Sequence, residues 1–209
     1  MIKVIFVLAF TAVFAYAIDN CKIENPVAGG TGTLDWFQYD DGIAYWISSG
    51  SAFYGTWFDI TDFVPGAGNY ECDYTEWWFY HHSNHPWDTD QIVVELWNGD
   101  DASGPLTNLT SDVITALHYA PVIVNYATPV PVEHDFWMSA ITTVYSVEGL
   151  PSVLYDQYDN WTGTAHSFND MGPVVMGGYE VDALFRAGCT WVGLELENES
   201  WGAIKGLFR

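Results

Sequence analysis

The sequence predicts an all-β protein, an antiparallel, jelly-roll-like β-sandwich of about ten strands, and three observations lead there. Apolar and polar side chains alternate with a period of two in several segments. Clusters of Gly, Pro, Asn and Asp punctuate the chain at short intervals, as turns between strands require. Before residue 197 there is no apolar stripe at i, i+3, i+4, i+7 of useful length. A parallel sheet with crossover helices is therefore excluded.

In chain order, residues 1–17 read as a secretory signal. Lys3 is followed by an apolar run over 4–15 and a small-x-small cleavage site at Ala15-Tyr16-Ala17. The run is shorter than the roughly 20 residues that a spanning helix needs, so no membrane insertion is expected once the signal is removed. Residues 18–33 are polar and glycine-rich around Pro26 and read as an arm or linker. Strands are predicted at 36–39, 43–48, 52–60, 70–82, 91–97, 112–119, 122–126, 134–146, 152–155, 164–168, 179–187 and 190–196. They make one sandwich domain over 34–196, followed by a C-terminal tail over 197–209.

The alternation assigns faces. Tyr179, Val181, Ala183, Phe185 and Ala187 form a core face, with Glu180, Asp182 and Arg186 on a wet one. Ile92, Val94 and Leu96 oppose Val93, Glu95 and Trp97, and Phe136, Met138, Ala140 and Val144 oppose Trp137, Ser139, Ile141 and Tyr145.

Charge narrows the function. Five Lys+Arg against 27 Asp+Glu give −22, and Lys3 is the only charge in the signal segment. No basic surface exists to neutralise nucleic-acid phosphates or to hold an anionic membrane. An aromatic content of 17% is far too high for a solvating acidic tail, and the length fits one domain. Such a charge keeps the protein soluble, attracts cations and works against compactness.

Cys21, Cys72 and Cys189 make an odd count for an oxidising compartment. One bridge plus one leftover thiol is the simplest outcome, and the alternative is that all three are reduced or buried. The sequence does not choose the pair, and the leftover could join two chains. Asn108-Leu-Thr110, Asn160-Trp-Thr162 and Asn198-Glu-Ser200 are sequons.

A run of local motifs carries a resemblance. Thr56-Trp-Phe-Asp-Ile-Thr-Asp-Phe-Val-Pro-Gly66 precedes Glu76-Trp-Trp-Phe-Tyr-His-His82, then His85-Pro-Trp-Asp-Thr89, Glu95-Leu-Trp-Asn-Gly99 and Ser103-Gly-Pro105. The likeness continues through 115–121, His134-Asp-Phe-Trp137 and 183–187, covering roughly residues 35–188. In these the chain resembles an uncharacterised group of secreted bacterial jelly-roll-like β-sandwich modules. The resemblance implies export and a sandwich. It transfers no catalytic residue.

Three groups of residues offer chemistry. His81 and His85, in His81-His82-Ser83-Asn84-His85, have metal-ligand spacing for a helix but lie at a strand end, where a hydrogen-bonded cluster is the simpler reading. Aspartate-rich turns at Asp40-Asp41, Asp88-Thr-Asp90, Asn98-Gly-Asp100-Asp101 and 156–159 supply hard oxygens for a structural Ca2+, with Asp88, Asp90, Asp100 and Asp101 as candidate ligands. Trp87 and Trp161, in loops, are candidates for stacking on a sugar ring, while most other tryptophans are expected in the core. Gly-x-Ser-x-Gly, HExxH, paired CxxC motifs and phosphate-cradling glycine loops are absent.

The expectation is therefore a non-enzymatic extracellular or cell-surface structural module, self-associating through its arm or sheet edges into a layer or fibre. The alternative is a polysaccharide-binding module stabilised by calcium, and an acidic hydrolase stands third.

Overall fold

A computed structural model of the chain describes residues 34–64, 69–81, 83, 86–142, 151–157 and 165–193, and the backbone of 16–22. The first strands are β1 (Tyr16–Lys22), β2 (Leu34–Phe37), β3 (Ile43–Ser48) and β4 (Phe53–Asp59), followed by a single helical turn, α1 (Ile60–Phe63). Then come β5 (Asn69–Tyr80), β6 (Gln91–Asn98), β7 (Thr107–Thr115), β8 (Pro121–Val132), β9 (Asp135–Ile141) and β10 (Ser152–Tyr155). The short β11 (Ser167–Asn169), β12 (Gly172–Pro173), β13 (Val175–Met176) and β14 (Tyr179–Glu180) lead to β15 (Phe185–Gly193).

The ladders between these strands are antiparallel and build two main sheets. The first runs β1-β3-β10-β5-β15-β2, with β8 also on β5; the second runs β12-β11-β4-β9-β6-β7, and β13 pairs with β14 apart from both. Successive strands cross from one main sheet to the other at β3 to β4, β4 to β5, β5 to β6, β7 to β8, β8 to β9, β9 to β10 and β10 to β11. This is the antiparallel all-β sandwich that the alternation predicts, with fifteen strands among the described residues, several of them very short, where about ten are expected.

Both sheets feed one core. Phe37, Tyr70, Trp77 and Phe185 of the first share a buried cluster with Tyr54, Phe58, Leu96, Phe136 and Met138 of the second. The rings of Phe37 and Phe136 meet with centroids 6.5 Å apart. Each such side chain contributes about 1.5–3 kcal/mol by leaving water. In β6 and β9, Ile92, Val94, Leu96, Phe136, Met138 and Ala140 are all in this core, but Val93, Trp137 and Ser139 of the opposing faces are buried as well, and Val144 and Tyr145 lie outside the described residues.

Two expectations are corrected. Residues 18–22 of the supposed arm belong to β1, which pairs with β3 from Tyr16↔Ile47 to Lys22↔Ile43. Backbone pairing overrides the polar composition there. Cleavage after Ala17 would remove two residues of β1 and keep the Cys21↔Ala44 pair. Residues 23–33 and the tail over 197–209 lie outside the described residues.

The strand predicted over 179–187 is also divided. β14 stops at Glu180 and β15 begins at Phe185. Val181, Ala183, Phe185 and Ala187 are in the core as expected, but Tyr179 is exposed, and Asp182 and Arg186 of the supposed wet face are buried. The reason is that the first sheet buries both faces. Leu184 joins a second apolar cluster with Ala44, Ile47, Trp78 and Leu154. Arg186 survives there because its fork is filled: Nε and Nη2 donate to Asp40 at 2.9 and 2.6 Å, and Nη1 donates to Glu76 at 3.0 Å. Burial opposes the Arg186 charge, but Asp40 and Glu76 hold the guanidinium above its ordinary value. Trp78 Nε1 donates to Glu76 as well, at 2.6 Å. Next to this knot, Asp156 accepts from the Asp182 backbone N–H at 2.9 Å. Burial, then the neighbouring Asp182, pushes Asp156 up to about 9.

Candidate functional site

The site grows from α1. Asp59, the last residue of β4, caps this turn: its Oδ1 accepts from the Thr61 N–H at 2.8 Å and the Thr61 hydroxyl at 2.6 Å. Aspartate is a favoured N-cap because its carboxylate satisfies donors that the first helical turn leaves unpaired. The turn is clamped between two histidines. Ile60 N–H donates to the His134 carbonyl at 3.0 Å, and Trp57 N–H donates to the His166 carbonyl at 2.8 Å.

Each ring addresses one carboxylate of the turn. His134 Nδ1 lies 3.1 Å from Asp135 Oδ2 and 3.7 Å from Asp59 Oδ1, and its side chain is 49% exposed. Asp59 and Asp135 stand directly opposite each other in the β4–β9 ladder. Asp59, His134 and Asp135 thus offer three ligand atoms within 4.8 Å of one another, and among the described residues they are the group of three or more with that geometry.

His166 is the buried counterpart. Its ring stacks on Tyr39 at 3.5 Å and lies parallel to Trp57 at 5.9 Å, and its Nε2 is 3.7 Å from Asp62. Tyr39 ties the Asp62 carboxylate to the backbone at the start of the turn: its hydroxyl donates to Asp62 at 2.8 Å and accepts from the Asp59 backbone N–H at 3.1 Å. Burial pulls His166 down to about 4 against the opposing pull of Asp62 and Asp59, so the ring is neutral at pH 7. Burial also raises the Tyr39 hydroxyl far above its ordinary range. In this half of the network the His166 and Tyr39 rings are buried, and only the Asp62 carboxylate reaches solvent.

The exposed half opens onto a cleft of about 200 Å³ lined by Asn98, Asp100, Thr107, Glu133, His134 and Asp135, together with Gly99 and Leu106. Its wall is the 98–106 loop, held by Leu106 N–H to the Asn98 carbonyl at 2.8 Å and by Glu133 N–H to Asn98 Oδ1 at 3.2 Å. Gly99 is required here. Its φ of +155° lies outside the range that side chains favour, and a Cβ would collide with the Gly104 carbonyl.

Chemically the trio suits a borderline divalent ion such as zinc, because an imidazole is a poor partner for calcium, which takes oxygen ligands. The cleft supplies carboxylate, amide and hydroxyl groups for a hydroxylated ligand.

The residues singled out by sequence are dispersed. Asp88 and Asp90 precede β6 while Asp100 and Asp101 follow it, and its eight residues separate the pairs by roughly 26 Å. The four do not form one calcium site. Asp100 alone of them lines the cleft, and its Oδ1 accepts from the Ser103 N–H at 2.6 Å. Asp40, from another aspartate-rich turn, is consumed by Arg186.

Trp87 packs against the core and stacks on His81 at 4.7 Å, so its ring faces are largely taken. His81 is the hydrogen-bonded strand end: its Nε2 accepts from the Trp87 N–H at 3.0 Å, and its own N–H donates to His118 Nδ1 at 3.0 Å. Trp161, His82, His85, Asn160 and Asn198 lie outside the described residues; Asn108 is exposed on β7.

Sequence reasoning missed the Asp59–His134–Asp135 trio. The one local signal was the His134-Asp135 pair; Asp59 joins it from 75 residues away through the β4–β9 register. In comparisons with known proteins, no family model matches the chain and no curated protein matches it.

Proposed function

We propose that this chain is an extracellular or cell-surface structural module that self-associates through its sheet edges into a layer or fibre. One observation carries the reading: the edge formed by β7 and β8. β7 ends the second sheet, and β8 flanks the first beside β5. In a chain with 27 carboxylates, the twelve residues of β8 contain no charge and β7 contains only Asp112. Val113 on β7 is 54% exposed and Ile123 on β8 is 44% exposed. Sheet edges in proteins that stay apart are normally protected by charge, and an unprotected edge is a template for adding strands. Pro129 and Pro131 blunt the far end of β8, which confines pairing to the remainder. The signal-like N-terminus and the motif resemblance support export. The arm is a weaker docking element than the edge, because 18–22 already pair within the chain.

The test is light scattering on the signal-free chain over a range of concentrations. Wild type is expected to assemble, and Val113→Lys with Ile123→Lys to remain monomeric with an unchanged circular dichroism spectrum. A wild type that stays monomeric with and without divalent ions would remove this reading.

The cleft favours a second reading, a polysaccharide-binding module stabilised by a divalent ion. Its six polar lining residues match sugar hydroxyls, although Trp87 does not provide a platform. Retention on a polysaccharide panel, lost on Glu133→Gln, would favour it over assembly.

A further inference from the structure

We propose that Cys72 and Cys189 are the disulfide-forming pair of this protein, a covalent staple between β5 and β15, with Cys21 left as the single thiol.

The pairing follows from a bulge. Along the β5–β15 ladder the partners run Ala187↔Thr75 and Gly188↔Tyr74, and then shift to Cys189↔Cys72 and Thr190↔Glu71. Asp73 is passed over. In an unbroken register Cys189 would face Asp73; the bulge brings the two cysteines opposite each other instead. The shift is secured on both sides. The Asp73 carboxylate accepts from the Thr190 hydroxyl at 2.7 Å, and the Tyr74 ring occupies the space where Gly188 would carry a Cβ.

Directly opposed antiparallel residues have Cα atoms about 4.5 or 5.5 Å apart, depending on the pair type. Both values fall within the roughly 4.4–6.8 Å that a disulfide spans. The side chains share a face, because both cysteines lie in the same core cluster with no solvent exposure. Both thiols are free in this structure, and oxidation gives up the Cys72 thiol's hydrogen bond to the Tyr74 carbonyl at 3.3 Å and replaces its contact with the Cys189 thiol by a bond. Cys21 is on β1, which pairs with β3 opposite Ala44, away from this ladder.

Enclosure fixes when the bond forms. Burial, then the adjacent Cys72 thiol, pushes the Cys189 thiol well above its ordinary range, and no oxidant reaches either sulfur once β15 has docked. The exchange therefore happens earlier, with a small-molecule or protein disulfide as oxidant. One cysteine thiolate attacks the donor disulfide and releases one donor thiolate. The second cysteine thiolate then attacks the mixed disulfide and releases the other. Two electrons pass from the protein sulfurs to the donor, and the two protein protons end on the two donor thiols.

The pairing does not rest on export, although bond formation in the cell does, and the two are tested separately. The full chain is refolded from denaturant in a mixture of reduced and oxidised glutathione, its free thiols are alkylated under denaturing conditions, and the digest is analysed by mass spectrometry. The expected result is a linked peptide pair containing Cys72 and Cys189, lighter by two hydrogens, with alkylation on Cys21 alone. Cys21→Ser should give the same linked pair and no alkylation. A chain folded fully reduced should keep both thiols unreactive to glutathione disulfide. Alkylation of all three cysteines after refolding, or a link that includes Cys21, would overturn the proposal. Fractionation of an exporting host tests export instead: protein that is bridged in the tube but found reduced and retained inside the cells counts against export and leaves the pairing intact.

Discussion

The knot of Arg186 with Asp40 and Glu76 and the trio of His134 with Asp59 and Asp135 both set one basic side chain against two carboxylates, in very different surroundings. Arg186 and Asp40 have no side-chain exposure, and every Arg186 contact is a short, directed hydrogen bond. His134 is half exposed, and one of its two carboxylate contacts is 3.7 Å long. In the knot, water is excluded and the partners cannot be exchanged, so the cluster fixes β15 and the turn after β2 in place. On the rim, His134 and Asp135 meet solvent, while Asp59 Oδ1 is already engaged by Thr61, so the site is only partly satisfied from within and stays open to an ion or a hydroxyl. Enclosure, more than residue type, separates a structural ion pair from a binding site.

The largest expected effect tests the knot. Arg186→Leu leaves Asp40 and Glu76 buried without their cation and should cost about 3–5 kcal/mol in urea unfolding. Arg186→Lys, which keeps the charge but not the fork, should cost less. A loss below about 1 kcal/mol for the leucine variant would mean that the two carboxylates are not held as ions.

The next test uses pH. Asp156 has a folded value of about 9 against an ordinary 3.8, so the native state keeps a proton that the unfolded chain has released. Its contribution to stability is therefore complete below about pH 4, is lost as pH rises towards 9, and is flat beyond. Asp156→Asn should flatten that alkaline limb in urea titrations at pH 5, 7 and 9. A tenfold difference in proton affinity corresponds to about 1.4 kcal/mol, which such titrations resolve. An unchanged slope would show that Asp156 ionises freely.

His166 acts in the opposite direction. Its folded value of about 4 lies below the ordinary 6.5, so the unfolded chain takes up a proton that the native state refuses. Stability from this group is present above about pH 6.5 and is lost as pH falls towards 4. His166→Phe, which keeps a ring against Tyr39, should flatten the acid limb of a pH–Tm profile. An acid limb as steep as in wild type would assign the loss to other groups.

The smallest effect on folding belongs to the rim. His134→Ala should change stability by no more than about 0.5 kcal/mol, as exposed substitutions usually do. It should, however, abolish any rise in Tm produced by zinc, whereas a ligand at a hundred times its dissociation constant stabilises the intact site by about 2.7 kcal/mol. A zinc response that survives His134→Ala would move the ion elsewhere.

Much of the fold was legible in the chain, because alternation and turns are local. The predicted 43–48 and 152–155 coincide with β3 and β10, and Ile92, Val94, Leu96, Phe136, Met138 and Ala140 share the core as their alternation predicts. The edge strands were read less well. β7 begins at Thr107 and β8 runs on to Val132, beyond the predicted 112–119 and 122–126. An edge strand is held by a ladder on one side only, so its polar or proline-containing ends carry no apolar alternation to reveal them.

What the sequence determined by itself is whatever a short stretch of chain or its composition dictates: two-residue periodicity, turn placement and an acidic net charge. Tertiary structure alone decided that Arg186 is buried, that Asp59 meets Asp135, and that a bulge at Asp73 sets Cys72 against Cys189. Each depends on the register between strands distant in sequence. A one-residue shift in register reverses which side chains meet, and no local pattern encodes that choice.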